Sequence, residues 1–414
     1  MLHPQPELVT VQDADLGVAM FDDRFIQDPY PLYARMLAAG PVHRVATSDF
    51  FAVCGWDSVV EVVGRPDDFS SNLTATMTFQ PDGTLDLHPI DDLGGPTQVL
   101  ATADDPAHAM HRKLVVPKLA AKRIRALEPF VVQTIEQLWR QELRGGHIEW
   151  MSAVANRLPM MVVCRLIGVP DRDTEQLAAW GYASTQLLEG LVGADRLAAA
   201  ESAAAELIGY VAQRLRHATT SPSDDLLGDL ATACATDQLD ALTAQLMMVM
   251  LFSAGGESTA SLIGSATNII ATRPEIQEQL RAHPDMVPVF LEEVLRFEPP
   301  FRGHYRHVRN DCTLGGHDLA AGSRLLLLWG AANRDPGHFE GPNEFRLDRA
   351  GRKGHISFGK GAHFCVGAAL ARLEARIVLE HLFEHTSWIS VTEPPRWLPS
   401  LLVRRLESLY LAVQ

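Results

Sequence analysis

Apolar residues recur at three- and four-residue spacing over Ile124 to Leu143, Glu201 to Leu215, Leu242 to Ala271 and Ala368 to Leu382, the period of helices that bury one face. The chain is therefore predicted to be mainly α-helical. Strand-like runs are few: Phe51-Ala52-Val53-Cys54, and Leu325 to Leu328 after an Ala321-Gly322 turn, so a small β-rich region is expected beside the helices. Asp104-Asp105-Pro106 places a side-chain acceptor before a proline suited to a first helical position. A helix should begin there and carry His108 and Arg112 on one face, four residues apart. Ser70 to Thr102 is polar, weakly periodic and dotted with Leu73, Met77, Phe79 and Leu85. It reads as a long loop, either the cover of a binding site or ordinary surface.

With 414 residues and 47% hydrophobic content, the chain can bury a large core. Length alone suggests two or three domains, but no linker, charge block or repeat divides the sequence, so 1–414 reads as one unit. Met1 to Asp22 has neither a signal-peptide core nor a membrane anchor. Apolar runs such as Leu246 to Ala254 fall short of the roughly 20 residues a bilayer requires, and a soluble protein is expected. The five cysteines (Cys54, Cys164, Cys234, Cys312 and Cys365) are odd in number and far apart, with no CxxC pair. That pattern argues against a disulfide framework and fits a reducing cytoplasm. A net charge of −15 disfavours nucleic acid as a partner. Locally the sign reverses, in His111-Arg112-Lys113 through Lys118, Lys122, Arg123 and Arg125, and in Arg352-Lys353 with Lys360 near Cys365.

The most informative stretch is Phe358-Gly359-Lys360-Gly361-Ala362-His363-Phe364-Cys365-Val366-Gly367, followed at once by the helical Ala368 to Glu374. A glycine-rich loop delivers a cysteine to a helix N-terminus, where unpaired amides favour thiolate over thiol. Gly359, Gly361 and Gly367 allow backbone angles closed to other residues and let a flat group approach the main chain. Phe358 can pack beside the sulfur. Zinc is a competing metal, because His363, Cys365 and nearby His355 are possible ligands, but the spacing offers no convincing set of four.

This stretch resembles the haem-binding signature of the cytochrome P450 family, F-G-x-G-x-H-x-C-x-G, at each fixed position. The resemblance implies a triangular, mostly helical prism with haem b ligated by Cys365. Phe358, Gly359 and Gly367 would shape the loop, and His363 would bond a haem propionate. Asp105-Pro106-Ala107-His108 with Arg112 resembles the segment whose His and Arg meet propionates, and Arg306 matches a third such partner. His304 and His307 are additional, and read as surface or strand-edge residues. Glu293-Val294-Leu295-Arg296 has the E-x-x-R pattern, a structural pair with Arg349 as first candidate for the later arginine and Arg346 as second.

Ala254-Gly255-Gly256-Glu257-Ser258-Thr259 puts two glycines inside a long apolar helix, where each costs about 1 kcal/mol relative to alanine. A packing kink is one account. The other follows from a resemblance to the family's A-G-x-[DE]-T-[TS] pattern, with Ala254 and Gly255 bordering a groove for dioxygen. Glu257 would then relay protons from solvent, and Ser258 or Thr259 would hydrogen-bond the oxygen being activated. Ser258 departs from the usual threonine and lacks the methyl that restricts the rotamer.

The resemblance is nearest to soluble bacterial, particularly actinobacterial, members. It implies a cytoplasmic monooxygenase that inserts one atom of O2 into a small apolar organic substrate and is inhibited by azoles. Electrons would come from NAD(P)H through an external ferredoxin and ferredoxin reductase, with docking on Lys113, Lys118, Lys122, Arg123, Arg125 and Lys360. A peroxide-driven or isomerising haem-thiolate enzyme and a noncatalytic haem sensor are the alternatives. The substrate pocket is expected to draw on Ser70 to Thr102, Leu187 to Val192, Phe252 to Ala254 and Pro300 to His304.

Overall fold

The computed structural model describes residues 16–79, 85–89, 98–188, 194–221, 223–349 and 354–414. Arg352 and Lys353, and most of the Leu187 to Val192 region, lie outside them. The expected helices form as Ala121–Glu142, Ala194–Thr220, Ala241–Thr272 and Ala368–His385, with a shorter one at Ala107–Val115. The 32-residue Ala241–Thr272 helix runs through the interior. Its N-terminus is fixed by Asp240, whose carboxylate accepts the Thr243 amide at 2.8 Å. Residues on all its faces are buried, as expected for a helix surrounded by others. Among the described residues it is the one helix long and apolar enough to cross a membrane, yet 56% of its most apolar window is buried inside the protein.

The helix continues without a break through Gly255-Gly256. The glycines are required by its neighbour, Leu158–Ile167: a Cβ on Gly255 would lie 2.6 Å from Val163 Cγ2, and one on Gly256 would lie 2.6 Å from Met160 Cε. Close helix approach therefore offsets their conformational cost.

The β-rich region is a five-stranded sheet. Val42–Arg44 pairs antiparallel with Phe50–Val53, which runs parallel to Arg324–Leu328. Arg324–Leu328 pairs antiparallel with Gly303–Val308, and that strand with Phe69–Ser70. Leu325 to Leu328 are all buried, which explains an uninterrupted apolar run. The register sets Leu327 opposite His304 and Leu325 opposite Arg306.

The segment expected to be a long loop is in part a hairpin, Ala75–Phe79 against Leu85–Pro89. Ala75, Thr76 and Met77 are buried, and Met77 joins the cluster of Phe50, Tyr305 and Leu326. Burial of a threonine between two apolar residues removes the alternation by which a strand is read.

The E-x-x-R pair lies on Val287–Phe297 and is almost wholly buried. Arg296 forks onto Glu293 through Nε and Nη2 at 2.8 and 2.7 Å, and its remaining donors reach the carbonyls of Asn333, Pro342 and Glu344. Arg349 supplies the third side chain, with Nε 3.3 Å from Glu293 Oε1. Arg346 gives only its backbone amide, at 2.9 Å. Beside it Glu292 accepts Arg372 of the Ala368–His385 helix at 2.6 and 2.9 Å, and lies 3.3 Å from His355. These bonds tie the helix that follows Cys365 to the E-x-x-R helix.

Candidate haem-thiolate site

The cysteine loop is held by its own backbone. The Cys365 amide donates to Phe358 O at 2.9 Å, and Gly359 and Gly361 both sit at φ +70°, where a side chain would be strained. Gly367, at φ −88°, needs no such freedom, and a Cβ there would meet Cys365 Sγ at an ordinary 3.9 Å. Phe358 packs under the Arg372 guanidinium, 4.4 Å from its centre.

Cys365 is enclosed by protein but open to an internal cavity. Burial pushes its thiol up, against the opposing pull of the Gly367 amide, Arg112, Arg372 and the Ala368 amide. The helix N-terminus thus acts in the expected direction, but desolvation outweighs it, and the fold alone holds a thiol. A bound metal cation would reverse that balance. Among the described residues no group of three or more His, Cys, Asp and Glu side chains is placed to share a metal ion.

The same cavity is lined by Ala254, Gly255, Ser258 and Thr259 of the long helix, and by His108, Arg112, Arg306 and His363. Ser258 donates to Ala254 O at 2.6 Å, a bond within its own helix. Glu257 does not line the cavity: it is buried and accepts Arg405 Nε at 3.2 Å, while Arg405 Nη1 reaches Asn156. Burial raises its carboxyl, with Arg405 opposing.

The cationic side is under-satisfied. His108 stacks on His363 at 4.0 Å, and Arg112 donates to Phe364 O at 3.0 Å. Burial, His108 and Arg306 push His363 down to about 4, and its Nδ1 is buried with no partner among the described residues. Arg306 is held to about 10 by burial, and its one hydrogen bond there runs to the neighbouring Tyr305 carbonyl. Two guanidiniums and two imidazoles with spare donors match a ligand that carries carboxylates. One cysteine open to the same space could hold a metal through a single protein ligand. The donor set therefore fits haem.

Sequence reading missed the one acid that, among the described residues, lines the cavity. Glu374 lines the cavity, its carboxyl is raised well above the ordinary range by burial, and its Oε2 has no partner among the described residues. It faces inward from a helix whose opposite face is charged, and no local pattern marks it. His304, weighed as a surface or strand-edge residue but also placed in the expected Pro300 to His304 pocket segment, lines the cavity. Of the expected pocket segments, Leu100 and Ala101, Ala254, and Pro300, Phe301 and His304 line it. Phe252 instead belongs to the core, and Leu187 does not line it.

The basic run is only partly free. Lys118 is buried and bridges Asp224 and Asp229 at 3.0 Å each, and Arg123 is paired with Asp224 at 3.0 Å. These two charges are neutralised within the fold and drop out of the expected docking surface.

A family profile described as Cytochrome P450 matches residues 211–411. Cytochrome P450 144 of Mycobacterium tuberculosis is 65% identical over 409 residues, covering 99% of this chain and 94% of the relative. Cytochrome P450 monooxygenase PikC of Streptomyces venezuelae is 31% identical, over 95% and 93% respectively. Among solved structures, CalO2 superimposes with a TM-score of 0.84 at 26% identity, covering 95% of this chain and 98% of that one. P450BioI, in complex with hexadec-9Z-enoic acid ligated acyl carrier protein, gives 0.83 at 26% identity, over 94% and 100%.

Proposed function

This chain belongs to the cytochrome P450 family of haem-thiolate monooxygenases, and from that premise we propose that it oxygenates a small, largely apolar substrate with electrons delivered from outside the chain. The carrying observation is one cysteine open to a cavity whose polar side is built of Arg112, Arg306, His108 and His363. In this reading 1–414 is a single haem domain acting in the cytoplasm. Haem b, when bound, supplies the dioxygen activation that no side chain here can perform.

The chain's own residues would do the rest. Cys365 would ligate the iron, shielded by Phe358 and held by the Gly359 turn and Gly367. Arg112, Arg306, His108 and His363 hold the carboxylates. Ala254 and Gly255 would leave room in the cavity for dioxygen, and Leu100, Val163, Leu251 and Phe301 would exclude water. Ser258 and Thr259 present hydroxyls to the cavity, and Glu257 passes protons from solvent once it releases Arg405. Azoles would enter the same cavity and ligate the metal.

A ferredoxin, reduced by NAD(P)H through its reductase, would dock on Lys113, Lys122, Arg125 and Lys360, which are exposed. Acidic partners are steered by such charges. The deciding experiment is the absorbance of the reduced holoprotein under carbon monoxide: a thiolate-type band supports the reading, and its absence in haem-loaded native protein overturns it.

A further inference from the structure

Along Gly303–Val308 side chains alternate between two faces. Tyr305 joins the core cluster of Phe50 and Met77, while His304 and Arg306 line the cavity. His304 lies on the Pro300-Phe301 side of Arg306. The Phe301 ring is 4.8 Å from its imidazole, and Trp329, at the end of the paired strand, closes over it at 5.7 Å.

Trp329 Nε1 donates to His304 Nδ1 at 2.6 Å. An indole N–H can only donate, so Nδ1 must be the unprotonated nitrogen and the proton of the neutral ring sits on Nε2. Burial, with Arg306 and His363 nearby, pushes the imidazole down to about 3, which keeps it neutral at physiological pH. No protein partner meets Nε2 among the described residues. The result is one oriented N–H beside Pro300, Phe301 and Trp329 in the cavity wall. The carboxylates of the cofactor already have Arg112, Arg306, His108 and His363 to meet them.

We propose that His304 is a specificity-determining residue: its Nε2–H, oriented by Trp329, recognises an acceptor oxygen on an otherwise lipophilic substrate, favouring ketones, esters or ethers over hydrocarbons of the same shape. Trp329 is the positioning residue. This rests on the oxygenase reading of the cavity.

The test uses holoprotein whose carbon monoxide band has been recorded first, so that failure of the haem site is seen separately. Decan-2-one and decane are titrated in competition with imidazole at the iron, which reports both members of the pair. Wild type should favour the ketone by roughly three- to tenfold, the weight of one hydrogen bond. His304→Phe should abolish the preference by weakening the ketone alone, and His304→Gln should restore part of it. Trp329→Phe should lower it with His304 still present. Nitrogen NMR of the carbon monoxide complex should show the His304 proton on Nε2 in wild type. Equal response of the two probes in wild type, an unchanged ratio in His304→Phe, or a proton on Nδ1 each overturns the proposal. So does a His304→Phe variant that retains haem less firmly while its haem-loaded fraction keeps the ratio, because the donor would then serve the cofactor.

Discussion

Two buried polar regions meet at the Ala368–His385 helix, and they differ in how far the protein satisfies them. Behind the cysteine loop every donor of Arg296 has an acceptor, and Glu293 is bonded by Arg296, Arg349 and the Arg346 amide. Toward the cavity, His363 Nδ1 and Glu374 Oε2 have no partner among the described residues, and Arg306 has a single neighbouring carbonyl. Buried polar atoms are normally paired. A region closed on itself is scaffold, whereas one left open expects a ligand to complete it.

Experiments of decreasing expected effect break or sharpen that contrast. Cys365→Ser should abolish the thiolate-type carbon monoxide band outright. The fold should survive in circular dichroism, because the sulfur makes no protein contact on which the scaffold depends. Glu293→Ala, by contrast, strands two buried guanidiniums and should cost about 3–5 kcal/mol in denaturant unfolding. Glu293→Gln should recover only part of that. If the cavity cations behaved like the scaffold, Arg306→Ala would destabilise the haem-free protein comparably. It should instead leave haem-free stability nearly unchanged and weaken haem retention.

Gly255→Ala should cost about 1–3 kcal/mol by overpacking against Val163. Gly256→Ala should cost less, because the atom in its way is the flexible end of Met160. The pH dependence separates the regions again. Burial raises Glu292, but His355 and Arg372 prevail and hold it at about 2, below its ordinary 4.5. Its contribution to stability is therefore complete above about pH 5 and drains as pH falls toward 2. Glu292→Gln should flatten acid unfolding in that window. The smallest effect is on the surface: Lys113→Glu with Lys122→Glu should slow reduction by ferredoxin several-fold at low salt and little at high salt. Lys118→Ala should lower stability without that salt signature.

Much of the scaffold was legible because its determinants are local. Four helices followed from apolar spacing, and the cysteine loop followed from glycines whose need at Gly359 and Gly361 is a property of the turn itself. The hairpin at Ala75–Phe79 was not legible, because a buried threonine breaks the alternation that marks a strand. The charge run over Lys113 to Arg125 looked uniform in sequence, but the structure divides it, since Asp224 and Asp229 come from a helical region a hundred residues away.

The amino-acid sequence by itself determined the family, the glycine-rich loop that delivers Cys365 to a helix N-terminus and the mainly helical architecture, because each is written in residues adjacent along the chain or repeated at a fixed period. Only the tertiary structure decided that Glu257 turns to Arg405, that Glu374 faces the cavity, and that Trp329 chooses which nitrogen of His304 carries the proton. Orientation and protonation depend on neighbours brought together from distant segments, and no local pattern encodes them.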